Sequence, residues 1–222
     1  MQKRVWKRIM ALLLALSLVV SLGACGSQAG GGNGQENVQS EQSAGVNGEV
    51  DKSVYMDATQ DVETRVEALL AQMTLEEKIG QMLQPEQAYI TAEEVTEYGV
   101  GSVLSGGGSA PSSGNTAIDW AYRVNELKEA ALDTRLGIPL LYGIDAVHGN
   151  NNVYGTTIFP HNIGLGATGD LELVEKIGAI TPKEVRAIGV QWTFAPTLGN
   201  PQNLRWGRSY ECFSEDAKEV AE

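Results

Sequence analysis

Cysteine is nearly missing from this 222-residue chain: there are two, Cys25 and Cys212. That count excludes zinc fingers and iron–sulfur clusters, and it excludes a disulfide framework if Cys25 is otherwise engaged. Positive charge is also scarce. Sixteen basic residues face 28 acidic ones, for a net charge of −12. A chain of that sign repels phosphate backbones, which argues against a nucleic-acid partner. Histidine is limited to His148 and His161, with no H-x-x-x-H spacing on a helix, so neither a metal nor any other cofactor is indicated. The apolar run Ile9–Leu22 is too short for an ordinary membrane span.

That run does fit a targeting segment. Lys3, Arg4, Lys7 and Arg8 form a basic region ahead of it, and Leu22-Gly23-Ala24-Cys25 follows. The tetrapeptide resembles the lipobox of bacterial lipoproteins, whose cleavage leaves the cysteine as a lipidated N-terminus. Residues 1–24 are therefore read as a lipoprotein signal peptide and Cys25 as the lipid-bearing residue. The protein is expected to be exported and membrane-anchored, on the cell surface or in the periplasm. Ordinary secretion with Cys25 incidental is the other reading. Residues 25–53 are Gly, Ser, Gln, Asn and Glu with almost no large apolar side chain, and they read as a flexible linker.

Residues 54–222 carry helical and strand periodicity. Val62, Val66, Leu69, Leu70 and Met73 recur at helical spacing, and Thr74 with Glu77 forms a capping box ahead of Leu75, Ile79 and Met82. From residue 100 strands and helices alternate. The strand candidates are 100–105, 138–145 and 190–196. A helix over 116–133 is expected to turn Ala117, Trp120, Val124, Leu127 and Ala131 to one side. Another is expected over 170–189, with Pro182 kinking or breaking it so that Thr181 caps a restart. Ser214 is expected to cap a final helix. Such alternation implies a parallel sheet covered by helices, as in a β/α barrel or a doubly wound sheet. Only three β/α units are visible where a barrel needs eight, so the chain is expected to be an incomplete domain.

Gly164-Leu165-Gly166-Ala167-Thr168-Gly169 matches G-x-G-x-x-G, but "FPHN" precedes it in place of a strand, and no strand-end acid follows at the required distance. Its glycines are read as tight turns and close packing. More weight falls on three loops that each follow a strand: Gly106–Gly108, Asp145–His161 and Leu204–Glu211. In parallel α/β folds ligands sit beyond the carboxyl ends of strands. Asp145 could accept bonds from neighbouring sugar hydroxyls or could simply cap its own loop, and the pattern favours neither. His148 and His161 are read as structural residues of the long loop. In Arg205-Trp206-Gly207-Arg208, pairing with Glu211, Glu215 or Asp216 is assigned to Arg205 and a ligand-binding role to Arg208.

Five blocks in order, "RVEALLAQMTLEEKIGQM" (65–82), "GSVLSGGGSAP" (101–111), "TRLGIPLLYGIDAVHGNNNVYGTTIFPHNIGLGAT" (134–168), "EVRAIGVQWTFAPT" (184–197) and "RWGRSYECFSED" (205–216), resemble the N-terminal barrel domain of family 3 glycoside hydrolases. The likeness is to the β-glucosidase and exo-β-glucanase branch. The N-acetylglucosaminidase branch carries an acidic-Gln-Glu-Gly-Gly block where this chain has Gly-Ile-Asp-Ala-Val-His-Gly. The resemblance implies a (β/α)8 TIM-like barrel, of which this chain holds the first part. It also implies release of terminal non-reducing β-D-glucose from β-glucosides or β-glucan oligosaccharides by a retaining mechanism. By motif match, Asp145 and Arg208 would hold hydroxyls of the terminal glucose, with backbone near Gly107 against the same subsite. The family's nucleophile, its substrate-binding Lys-His pair and its acid/base glutamate belong to later blocks, so no catalytic residue is assigned in this chain. Asn203 or Leu204 stands where the family often has Asp, and Pro182 where its helix is uninterrupted. The alternative from a different class is a lipid-anchored glycan-binding or vestigial module without hydrolase activity.

Overall fold

The computed structural model describes residues 49–222. The signal peptide (1–24), Cys25 and all but the last few residues of the linker lie outside the described residues. Among the described residues there are seven α-helices and three strands: α1 (Val62–Leu70), α2 (Leu75–Gln81), α3 (Ala92–Tyr98), β1 (Ser102–Ser105), α4 (Ala117–Leu132), β2 (Leu141–Ile144), α5 (Asn162–Gly166), α6 (Leu171–Ala187), β3 (Trp192–Thr193) and α7 (Ala217–Ala221). The strands form one parallel sheet in the order β1-β2-β3. The described residues thus form an α/β unit built on a parallel sheet, as the alternation of elements requires.

Sheet register decides which way each side chain faces, because strand residues alternate between faces. Val103 stands opposite Tyr142, and Ser105 opposite Ile144. All four are fully buried and share one face. Val103, Tyr142 and Ile144 share a cluster with Trp120, Val124, Leu127 and Ala131 of α4, with Val185 of α6, and with Ile188 and Val190 just past it. Burial pushes the Tyr142 hydroxyl up to about 12, and Ser105 shares a 2.8 Å hydrogen bond with it. The other face carries Leu141, Gly143, Trp192 and Phe194. The Phe194 ring lies where a Cβ on Gly143 would stand, and it meets Trp192 edge-on at 4.6 Å.

Sequence missed a fourth run of chain on the sheet. Leu83–Glu86 lies beside β1, with Leu104 N–H donating to the Pro85 carbonyl at 3.0 Å and Glu86 bridging Leu104 in parallel. A proline fits there because, among the described residues, only one edge of the run is paired.

Several expectations are corrected. Both helices expected from the spacing over 62–82 form, but their apolar stripes face outward: Val62, Val66, Leu70, Leu75, Ile79 and Met82 are exposed, because no described element packs on them. Only Met73, just past α1, reaches the interior. On α2, Gly80 is the buried residue, and a Cβ there would overlap the Tyr98 carbonyl oxygen at the end of α3. Ala117 begins α4 but is exposed. Pro182 does not break α6, which runs continuously to Ala187; Thr181 caps nothing and donates to the Ile177 carbonyl at 3.1 Å. Proline removes one ladder bond, to the carbonyl four residues back, which is that of Gly178, and the helix continues past it. β3 shrinks to two residues, since its pairing partners on β2 are Gly143 and Ile144 alone. Asp216, not Ser214, caps α7.

The Thr74–Glu77 capping box is present as expected, and the structure adds Arg135. The Arg135 guanidinium grips the Glu77 carboxylate at 2.8 and 2.6 Å, and that bond holds Glu77 below its usual carboxylate range.

Candidate functional site

The loops after β1, β2 and β3 meet at the carboxyl end of the sheet, and named hydrogen bonds hold the first two together. Asp145 is the first residue past β2. Its N–H continues the sheet ladder to the Ser105 carbonyl at 3.1 Å, which fixes its backbone. Its side chain is half-buried, and Oδ2 accepts the Gly107 N–H at 3.0 Å. The carboxylate therefore ties to the glycine loop after β1 rather than capping its own loop. Among the described residues Oδ1 accepts no hydrogen bond, so one oxygen stays available.

The long loop Asp145–His161 is knitted by its own polar side chains. Asn152, buried, donates from Nδ2 to the Gly106 carbonyl at 2.8 Å and accepts the Gly108 N–H on Oδ1 at 3.3 Å. Asn151 accepts the Val147 N–H at 3.1 Å. Thr156 donates to the Asn150 carbonyl at 2.6 Å. Glu184 of α6 accepts the Thr157 N–H and hydroxyl. His148 Nδ1 lies 3.0 Å from the Phe159 carbonyl, and its ring faces His161 at 4.3 Å. His161 in turn meets the Tyr210 ring edge-on at 4.7 Å. The structural reading of both histidines fits these contacts.

Arg208 lies in the loop after β3, beside the 3-10 turn Ser209–Glu211. Its Nε and Nη2 donate to Glu211 at 2.8 and 2.6 Å, a two-pronged ion pair. The sequence reading gives this pairing to Arg205, and the structure corrects it: Glu211 takes Arg208. Side-chain exposure is 10% for Glu211 and 58% for Arg208, so Glu211 is the buried anchor and the guanidinium faces outward. Glu211 supplies most of the rise in the Arg208 pKa, first by hydrogen bond and then by charge, and Asp145 contributes further through its own charge. The carboxylate at 145 thus lies within electrostatic range of the guanidinium at 208. Glu211 is lowered by the same bond. An arginine held at two donors still has three N–H groups for a ligand.

The glycine run 164–169 has no strand before it. A Cβ on Gly166 would overlap the Phe213 carbonyl oxygen, and Gly169 has φ +62. Close packing and a turn account for these residues. Of the predicted site residues, the structure joins Asp145 to Gly107 by a hydrogen bond and brings Arg208 into their electrostatic neighbourhood. Cys25 lies outside the described residues. Asn152 and Glu184 are site residues that the sequence does not single out, and only the density of Asn in "GNNN" hints at the first; Glu211 is named there only as a candidate partner of Arg205.

Residues 74–222 match the Glycosyl hydrolase family 3 N terminal domain. The lysosomal beta glucosidase of Dictyostelium discoideum is 36% identical over 175 residues, covering 69% of this chain and 21% of that protein. The periplasmic beta-glucosidase of Salmonella typhimurium is 32% identical over 153 residues, covering 67% of this chain and 18% of that protein. Among solved structures, an exo-1,3/1,4-beta-glucanase from a Pseudoalteromonas species is 46% identical with a TM-score of 0.67, covering 75% of this chain and 22% of that one. The chain thus spans about a fifth of the length of these relatives. With its sequence blocks, its parallel sheet and its strand-end loops all in accord, the chain belongs to glycosyl hydrolase family 3, across the N-terminal domain of that family.

Proposed function

We propose that this chain supplies the glycone-binding half of a β-glucosidase-type active site. The full-length protein releases terminal non-reducing β-D-glucose from β-glucosides or β-glucan oligosaccharides. The observation that carries the reading is the placement of Asp145, fixed by the Gly107 amide at the carboxyl end of β2 and within electrostatic range of Arg208. A carboxylate oxygen and outward guanidinium N–H groups offer an acceptor and donors to adjacent ring hydroxyls. Membership of the family and likeness to β-glucosidases and an exo-glucanase support the substrate class.

In this proposal the three-stranded sheet is the opening of a (β/α)8 barrel, and its loops form one side of the barrel's mouth. Hydrolysis follows the retaining course. It needs two carboxyl groups about 5–5.5 Å apart, one attacking the anomeric carbon and one acting as acid and then base. In this reading both belong to later blocks of the family than those found in this chain. Hydroxyl binding by Asp145 and Arg208 then supplies binding energy and orientation to a reaction at a neighbouring atom. Lipidation at Cys25 would anchor the exported protein at a membrane, supported by the basic, apolar and Leu-Gly-Ala-Cys order of the N-terminus.

The experiment is hydrolysis of 4-nitrophenyl β-D-glucoside by the full-length protein, with the anomer of the released glucose followed by NMR. First appearance of β-glucose supports the reading. First appearance of α-glucose contradicts the retaining course, and no turnover contradicts the hydrolase reading.

A further inference from the structure

We infer that Asn152 is a positioning residue that sets the orientation of the Asp145 carboxylate through the glycine loop, an inference that rests on the glycone-binding reading above. The loop tip Gly106–Gly108 has no side chain with which to fix itself, and glycine has the widest backbone freedom of any residue. Gly108 uses that freedom, at φ +79. The loop's entry is held in β1. Its exit is held by Ser109, whose hydroxyl donates to Glu86 and accepts from Gln87 Nε2 at 3.0 Å. The tip between them is gripped by Asn152, 44 and 46 residues away in sequence.

The grip has a specific chemistry. Nδ2–H donates to the Gly106 carbonyl at 2.8 Å while Oδ1 accepts the Gly108 N–H at 3.3 Å. Asn151 Nδ2 donates to the same Oδ1 at 3.1 Å. A carboxamide supplies a donor and an acceptor side by side; a carboxylate of the same size supplies acceptors only. The residue is 5% exposed, so water cannot readily replace its side chain. Between the two gripped residues stands Gly107, whose N–H donates to Asp145 Oδ2. Asn152 thereby holds the amide that holds the carboxylate, and leaves Oδ1 free to accept from a ligand.

The test is a double-mutant cycle in the full-length protein with Asn152→Asp, Asp145→Asn and the pair. The readouts are kcat/KM for 4-nitrophenyl β-D-glucoside and the inhibition constant of glucose. Asn152→Asp turns the bond to the Gly106 carbonyl into a repulsion. It should lower kcat/KM and raise the glucose constant by about tenfold or more. In the Asp145→Asn background the same change should cost less than about threefold, since the group it acts through is already altered. Equal costs in both backgrounds would show a purely structural asparagine and overturn the inference. Wild-type values for Asp145→Asn would overturn the glycone-binding reading itself, and the inference with it. Should Asn152→Asp not fold, Gly108→Ala decides. Its Cβ would meet nothing within 4 Å, so the strain at φ +79 stays local to the loop. A rise in the glucose constant that vanishes in the Asp145→Asn background supports the inference, and an unchanged constant overturns it.

Discussion

The backbone N–H of Gly107 donates a 3.0 Å hydrogen bond to Oδ2 of Asp145, joining the loop after β1 to the end of β2 across 38 residues of sequence. The two strands are parallel neighbours, so their carboxyl ends lie side by side and the bond requires no detour of chain. A carboxylate held this way loses less rotamer freedom when it binds a ligand, which is how preorganisation raises affinity.

Glu211 sets the orientation of Arg208. Glu211→Gln weakens the two-pronged pair and frees the guanidinium to turn. The expected result, in full-length protein, is a loss of about tenfold to a hundredfold in kcat/KM for an aryl β-glucoside. Steady-state kinetics with a thermal melt as control check it; a wild-type value would show that Arg208 needs no anchor.

The same pair sets an acid limit. The bond to Arg208 holds the Glu211 carboxyl below its usual carboxylate range in the folded state, so folding is favoured by the ionised form. That contribution is present above the unfolded glutamate value and is lost as pH falls through the lowered folded value. Wild type should therefore lose stability relative to Glu211→Gln as pH falls below about 4.5. Denaturation midpoints of the two proteins across pH 3–6, about the range where carboxylates titrate, check the sign. A difference independent of pH would contradict it.

Gly166 is required for close approach rather than for any phosphate. Gly166→Ala drives a methyl group into the Phe213 carbonyl and should cost about 1–3 kcal/mol. The measurement is the denaturant midpoint of the full-length protein. No change would mean that α5 and the loop before α7 can separate freely.

Glu77 joins a helix cap to Arg135. Glu77→Ala removes the return half of the capping box and a two-pronged ion pair, both partly exposed. The expected cost is about 1–2 kcal/mol, small for the number of bonds because exposed pairs are screened. Thermal melts in low and high salt check it, and the mutational difference should shrink with salt.

What the sequence made legible was local. Thr74 and Glu77 sit three residues apart, and their spacing alone specifies the cap. The buried stripe of Trp120, Val124, Leu127 and Ala131 follows from helical period, and the position of Asp145 follows from the end of an apolar run. What it hid depends on approach between distant segments. Asn152 reaches Gly106 only because β1 and β2 pair in register, and Glu184 reaches Thr157 only because α6 returns over the loop. Arg205 and Arg208 are equivalent by composition, and the turn at Ser209–Glu211 decides which one meets Glu211. The exposed stripes on α1 and α2 show the converse: periodicity states that a face is apolar, while burial needs a neighbour.

The most direct test of the account is kcat/KM for 4-nitrophenyl β-D-glucoside in full-length wild-type and Asp145→Ala proteins, each shown to be folded by its thermal melt. Loss of a charged acceptor to two sugar hydroxyls predicts a fall on the order of 10²–10⁴-fold. A variant that kept its wild-type kcat/KM would contradict the account, because the carboxylate at 145 would then have no part in holding the sugar.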